Sequence, residues 1–202
     1  LESSTINMHR VPPVMSCYVI NKKKQMIEFL IIVTHQIIFQ GMFIFKNVIL
    51  RKVTGKQTRG KNIEATISII YFAFFIIASI SISYFNFSFG RLNILNEKSA
   101  VIIGLGILAI NLILSTFSLI HLKDSWRVGV IENQKTELVT NGVYGITRNP
   151  YFVSYFLMFA SYTVLLQNLI LLVLSLIGFI LVHTMVVKEE RYLLSVHGDK
   201  YL

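Results

Sequence analysis

What this chain lacks narrows its class before any motif is read. It has one cysteine, Cys17, so neither an intrachain disulfide nor a cysteine-based metal site can form, and no metal centre is expected. Three prolines and no long Gly/Ser tract leave little room for extended linkers. Only 14% of residues are charged, against roughly 25% in a water-soluble domain. That shortage points to a bilayer as the solvent. The apolar material after "NKKK" is closed by no small-residue cleavage site, so a cleavable signal is not expected. Acidic groups are scarce too, giving a formal net charge of +9. No basic cluster alternates with stacking aromatics on a polar face, however, so nucleic acid is not expected as a partner.

Long apolar runs are what the chain does have. Crossing about 30 Å of hydrocarbon takes about 20 mostly apolar residues in a helix. Ala65 to Gly90 carries no formal charge, and Ser99 to Leu122 is interrupted only by a His. An uncharged run of 39 residues, Asn149 to Val187, divides at Gln167-Asn168 into parts of about 16 and 19 residues. Both parts are short, which suits a tight helical hairpin. A fifth candidate span, Met26 to Phe45, contains Glu28, His35, Gln36 and Gln40, and the chain has four spans if this helix lies on the membrane instead of crossing it. Polar groups at such depth either serve function or bond to neighbouring helices, and the second reading puts Glu28 at the interface. The expected fold is therefore all-α: a polytopic membrane helical bundle of about five transmembrane helices ending in a C-terminal hairpin. One domain fills residues 1–202, with a tail over 1–24, three spans within 25–122 and the hairpin region over 123–202.

With five spans, Arg10, Lys22, Lys23, Lys24, Arg91 and Lys98 fall on one side. The remaining 13 of the 19 Lys and Arg fall on the other. Basic residues accumulate on the cytoplasmic side, which places the N-terminus outside and the C-terminus in the cytoplasm.

The densest polar punctuation is "LVTNGVYGITRNPYF", Leu138 to Phe152. Asn141-Gly142 signals a turn, since both residues tolerate positive φ. Asn149-Pro150 reads as a helix start, with Asn as N-cap and Pro at the first helical position. The amides of that helix end attract anions. Arg148 stands beside them with a guanidinium fork suited to a carboxylate. Tyr144, Tyr151 and Phe152 add aromatic faces for a flat ring or a cation. A second cluster, "VVKEERYLLSVHGDKY", follows the last span, with Gly198 as its expected helix terminator. Side chains of adjacent helical residues point about 100° apart, so only one of Glu189 and Glu190 can easily face a given pocket. A hairpin returns its ends to one place, so Arg148 and Asn149 should lie near Glu189 and Glu190.

These two clusters, one hairpin apart, resemble the isoprenylcysteine carboxyl methyltransferase family and its phospholipid N-methyltransferase relatives, in the form bacterial members take. The shared pattern is approximately LVxxGxYxxxRHPxY followed by EExxLxxxFGxxY, and "DSWRVGV" (Asp124 to Val130) resembles the segment before it. The resemblance covers roughly Lys123 to Tyr201. It implies an S-adenosyl-L-methionine site whose contacts fall on Thr136, Glu137, Leu138, Val139, Tyr144, Asn149, Pro150, Tyr151, Phe152 and Glu189. Arg148 and Glu190 are the catalytic candidates. The family's usual His is Asn149 here, which can donate a hydrogen bond but cannot exchange a proton at neutral pH. Where prenylcysteine enzymes place a substrate-holding Arg, this chain has Met185, flanked by His183 and Lys188 as substrate candidates.

The resemblance thus implies an integral membrane S-adenosylmethionine-dependent methyltransferase. Its acceptor is a membrane lipid or a lipidated small substrate, with carboxylate O-methylation favoured. Phospholipid N-methylation, a sterol-type reductase using NADPH and a non-catalytic membrane scaffold are the alternatives.

Overall fold

Two helices in this protein begin at an Asn side chain that takes up a freed backbone amide, and one ends at a glycine. A computed structural model describes residues 13–55, 63–87, 89–126 and 138–198, with side chains from residue 21 onward. All regular secondary structure among them is helical: α1 (Pro13–Thr54), α2 (Ile63–Phe85), α3 (Glu97–His121), α4 (Pro150–Leu166) and α5 (Leu169–His197). Short 3-10 turns occupy Lys123–Ser125 and Gly142–Gly145. Asn96 caps α3 by accepting from the Ser99 amide at 2.9 Å. Gly198 closes α5 with φ +57°.

Two boundaries differ from expectation. α1 runs for 42 residues, overshooting Met26 to Phe45 at both ends, so residues 13–24 are helical. Lys, Gln, Arg and Met are good helix formers. The basic runs at Lys22–Lys24 and Arg51–Lys52 therefore mark polarity changes without stopping the helix. α2 ends at Phe85, short of Gly90, because Asn86 already takes a left-handed conformation at φ 50°.

Four of the five helices are long and apolar enough to cross a bilayer, and α4 is a shorter apolar helix of 17 residues. Residues such as Ile37, Ile70, Ile102 and Ile180 expose their side chains on outer faces, where a lipid environment accommodates them. The chain is a multi-pass integral membrane protein.

α4 is the central helix, touching the other four and packing most extensively against α3. Small residues permit that approach: a Cβ on Gly104 would sit 2.4 Å from Leu165, and Ser161 donates to the Gly104 carbonyl at 2.9 Å. α1 is joined to this pair by a buried polar cluster. His35 bonds through Nδ1 to the Tyr162 hydroxyl at 2.7 Å and through Nε2 to the Asn111 amide oxygen at 2.9 Å. Gln36 donates to the Tyr162 hydroxyl at 2.7 Å, and Gln40 to Gln36 at 3.3 Å. His35 and Gln36 thus hold helix to helix, while Gln40 bonds within its own. Glu28 is buried and pairs with Lys24, one turn earlier on α1, at 3.8 Å.

Candidate active site

The end of the bundle that holds the α4 start and the α5 exit is hollow. A cavity of about 240 Å³ opens between the beginning of α2, the end of α3, the 138–149 segment, the first turns of α4 and the last turns of α5. The connecting segment is shaped by Gly142, which has φ +62° and packs so closely that an added Cβ would meet the His121 ring at 2.3 Å. Only glycine meets both demands. The tight turn that follows brings Tyr144 to the cavity, and the chain continues to Arg148 and Asn149 on the same wall. Leu138 and Val139 line it as well.

α4 begins at Pro150, as expected, but its N-cap works differently. Asn149 adopts φ −131° and ψ 57° and makes no side-chain capping bond. Its amide nitrogen instead donates to Glu190 Oε1 at 2.8 Å, tying the start of α4 to the end of α5. Tyr151, Phe152 and Tyr155 then present aromatic surface to the cavity. The Tyr151 and Tyr155 hydroxyls are bonded at 2.8 Å, and Tyr155 stacks on Phe72 of α2 with ring centroids 4.2 Å apart. Trp126 meets Tyr151 edge-on at 4.7 Å and is anchored to Asn47 of α1 by a 3.0 Å indole bond.

Three consecutive residues of α5 divide their tasks by the roughly 100° turn per helical residue. Lys188 reaches α2, where its ammonium pairs with Glu64 at 2.5 Å. Glu189 faces the cavity, on the same stripe as Met185 and Leu193. Glu190 turns to Asn149. Burial, and after it the Glu189 carboxylate, push the Tyr144 phenol well above its ordinary pKa, so it stays protonated.

The phospholipid methyltransferase family model matches residues 99–200, half of the chain. The chain belongs to the phospholipid methyltransferase family. No curated protein and no solved structure matches it. The match takes in α3 from Ser99, α4, α5 and the segment between α3 and α4, and with them most of the cavity wall.

In this family member, the residues expected at the site separate into three sets. Leu138, Val139, Tyr144, Arg148, Asn149, Tyr151, Phe152 and Glu189 share the cavity. Thr136 and Glu137 lie outside the described residues, as do Arg127 to Val130. Pro150, Glu190, His183 and Lys188 are not on the wall. Pro150 is buried at the helix start, and Glu190 is held by Asn149. His183 is exposed beside Phe179, two residues and about 200° around the helix from Met185. Lys188 is drawn aside by Glu64.

Sequence reasoning missed the contribution of α2. Ala65, Ser68, Ile69 and Phe72 line the cavity, and Ser68 donates to the Met185 sulfur at 2.7 Å. Their i, i+3, i+4, i+7 spacing is a helix face, but in a uniformly apolar helix it has no polar face to contrast with. Trp126 and Tyr155 were also missed. Trp126 lies inside the "DSWRVGV" segment, so a signal existed for it.

Proposed function

We propose that this protein is an S-adenosylmethionine-dependent methyltransferase acting on a lipid-like acceptor that reaches the cavity from the membrane. The donor would arrive from the cytoplasm, onto which the cavity end opens in this reading. One observation carries the proposal: a guanidinium, a carboxylate and several aromatic faces converge on one cavity within the family-matched hairpin. That donor set fits the cofactor's chemistry. Arg148 suits its carboxylate; Glu189 suits its ammonium or ribose hydroxyls; Tyr144, Tyr151, Phe152 and Trp126 suit a flat base or a cation. When bound, S-adenosylmethionine supplies a methyl group activated by a sulfonium.

The chain's own part is positioning and exclusion of water, since methyl transfer is an in-line displacement that gains most from alignment. The Phe72, Tyr155 and Met185 side of the cavity keeps the reacting region dry. Arg148 aligns a carboxylate. For a carboxylate acceptor, which the resemblance favours, no base is required, because the group is already ionised near neutral pH. Cation and anion become two neutral groups, and a dry site assists that loss of charge.

A second reading, phospholipid amine methylation, is favoured by one feature of the lining. Glu189 is the carboxylate among the described lining residues, and it stands with aromatic rings that suit a cationic head group. An amine must lose a proton on methylation, and in this reading Glu189 would accept it.

Membranes carrying the protein, incubated with methyl-labelled S-adenosylmethionine, test both readings. The expected result is a labelled lipid identified by mass spectrometry. Label released as methanol by mild alkali marks an ester, and alkali-stable label marks an N-methyl group. Binding of NADPH without the methyl donor would support the reductase alternative, and binding of neither would support the scaffold.

A further inference from the structure

We infer that Glu190 is a positioning residue that sets the aim of Glu189 by holding Asn149. This rests on the methyl-donor reading above. A helix end can turn about its own axis, and such a rotation would sweep Glu189 along or out of the cavity. Two flanking contacts oppose it here. On one side Lys188 is paired with Glu64 of α2, and on the other Glu190 accepts from Asn149 at the start of α4. Residues 188, 189 and 190 fan over about 200°, so the outer two act as stays for the middle one.

The two stays are unequal. The Lys188–Glu64 pair is half exposed on both partners, where water competes with the ion pair. The Asn149–Glu190 bond is partly buried and uses an ionised acceptor, which makes it the stronger restraint. It has a second effect. By engaging Glu190, Asn149 gives up capping α4, so the corner of Arg148, Asn149 and Tyr151 is fixed to α5 and not folded back on its own helix. One hydrogen bond therefore registers both walls of the donor region. Because Glu190 is off the cavity, its task is geometric and not proton transfer.

The test is calorimetric binding of S-adenosylhomocysteine to the full chain in detergent or nanodiscs, alongside methyl-transfer kinetics on membranes. Glu190→Ala should weaken binding about tenfold, as expected for losing a bond to a charged group. Glu190→Gln keeps an oxygen that accepts from Asn149, so binding and turnover should stay within about threefold of the parent. Asn149→Asp sets two carboxylates against each other and should weaken binding at least as much as Glu190→Ala. Adding Glu190→Gln to it restores a donor–acceptor pair in reverse and should recover affinity, the non-additivity expected of two residues in contact.

Glu190→Gln that abolishes turnover while leaving affinity intact would overturn the inference, since it would show a proton-transfer role. So would unchanged affinity in Glu190→Ala, or a double variant no better than Asn149→Asp alone. The swap decides the matter even if Glu190→Ala does not fold. A parent chain that binds no S-adenosylhomocysteine would remove the donor reading and this inference together. A parent that binds while the variants fail to follow the pattern removes the inference alone.

Discussion

The two ends of the α4–α5 hairpin use the same kind of residue in opposite ways. At the turn, Asn168 caps its own helix by accepting from the Ile170 amide at 2.9 Å and donates to the Phe89 carbonyl at 3.0 Å. Its neighbour Gln167 accepts from the Ile94 and Leu95 amides at 3.0 and 2.7 Å and donates to the Leu95 carbonyl at 3.0 Å. Backbone bonds from Leu92 to Gln167 and from Leu169 to Gly90 complete a closed knot. At the other end Asn149 stands before a helix too, yet it leaves the cap unmade and bonds across to Glu190. Polar groups there line a hollow. An end whose polar side chains are taken up by nearby backbone groups is built to hold. An end whose polar side chains converge on an empty volume is built to receive.

That contrast can be broken or sharpened by substitution, beginning at the open end. Glu189→Ala should weaken S-adenosylhomocysteine binding on the order of 100-fold, the scale of losing charge-assisted contacts. Calorimetry showing unchanged affinity would take Glu189 out of the site. Gly142→Ala places a side chain in a left-handed conformation, at about 1–2 kcal/mol, and drives it into His121 as well. It should lower both the melting temperature and the affinity, because the turn that carries Tyr144 must shift. At the closed end, Asn168→Ala should cost about 1–2 kcal/mol of stability through the lost cap, with donor affinity unchanged. A variant that binds poorly but melts normally would show that the turn is coupled to the cavity. The smallest effect is expected for Lys188→Met, which removes an exposed pair. Its melting temperature should stay close to that of the parent.

Sequence showed the hairpin turn and the corner well, because both are built from residues with local conformational demands, while the bonds from the turn to residues 89–95 carried no such signal. Gln167-Asn168, Asn149-Pro150 and Gly198 mark helix ends by turn chemistry, and the structure ends its helices there. The hairpin argument brought Arg148 and Asn149 to the Glu pair by topology alone. It could not say which glutamate would face inward, since that depends on the rotation of α5 set by contacts with α2 and α4. The extent of α1 was hidden for a different reason. Lys22 to Lys24 signal a change of solvent, and helix propensity is indifferent to that. The face of α2 was hidden because lipid and protein interior are both apolar, so its two sides are written in the same residues.

The buried cluster on α1 bears on how this protein is made. His35 leaves the ribosome 76 residues ahead of Asn111 and 127 ahead of Tyr162. The imidazole and the nearby Gln36 amide therefore meet the bilayer before their eventual partners exist. Final docking of the first helix is deferred until synthesis has passed the fourth, and a nascent chain halted earlier would hold those groups in hydrocarbon without the bonds they have in the finished bundle.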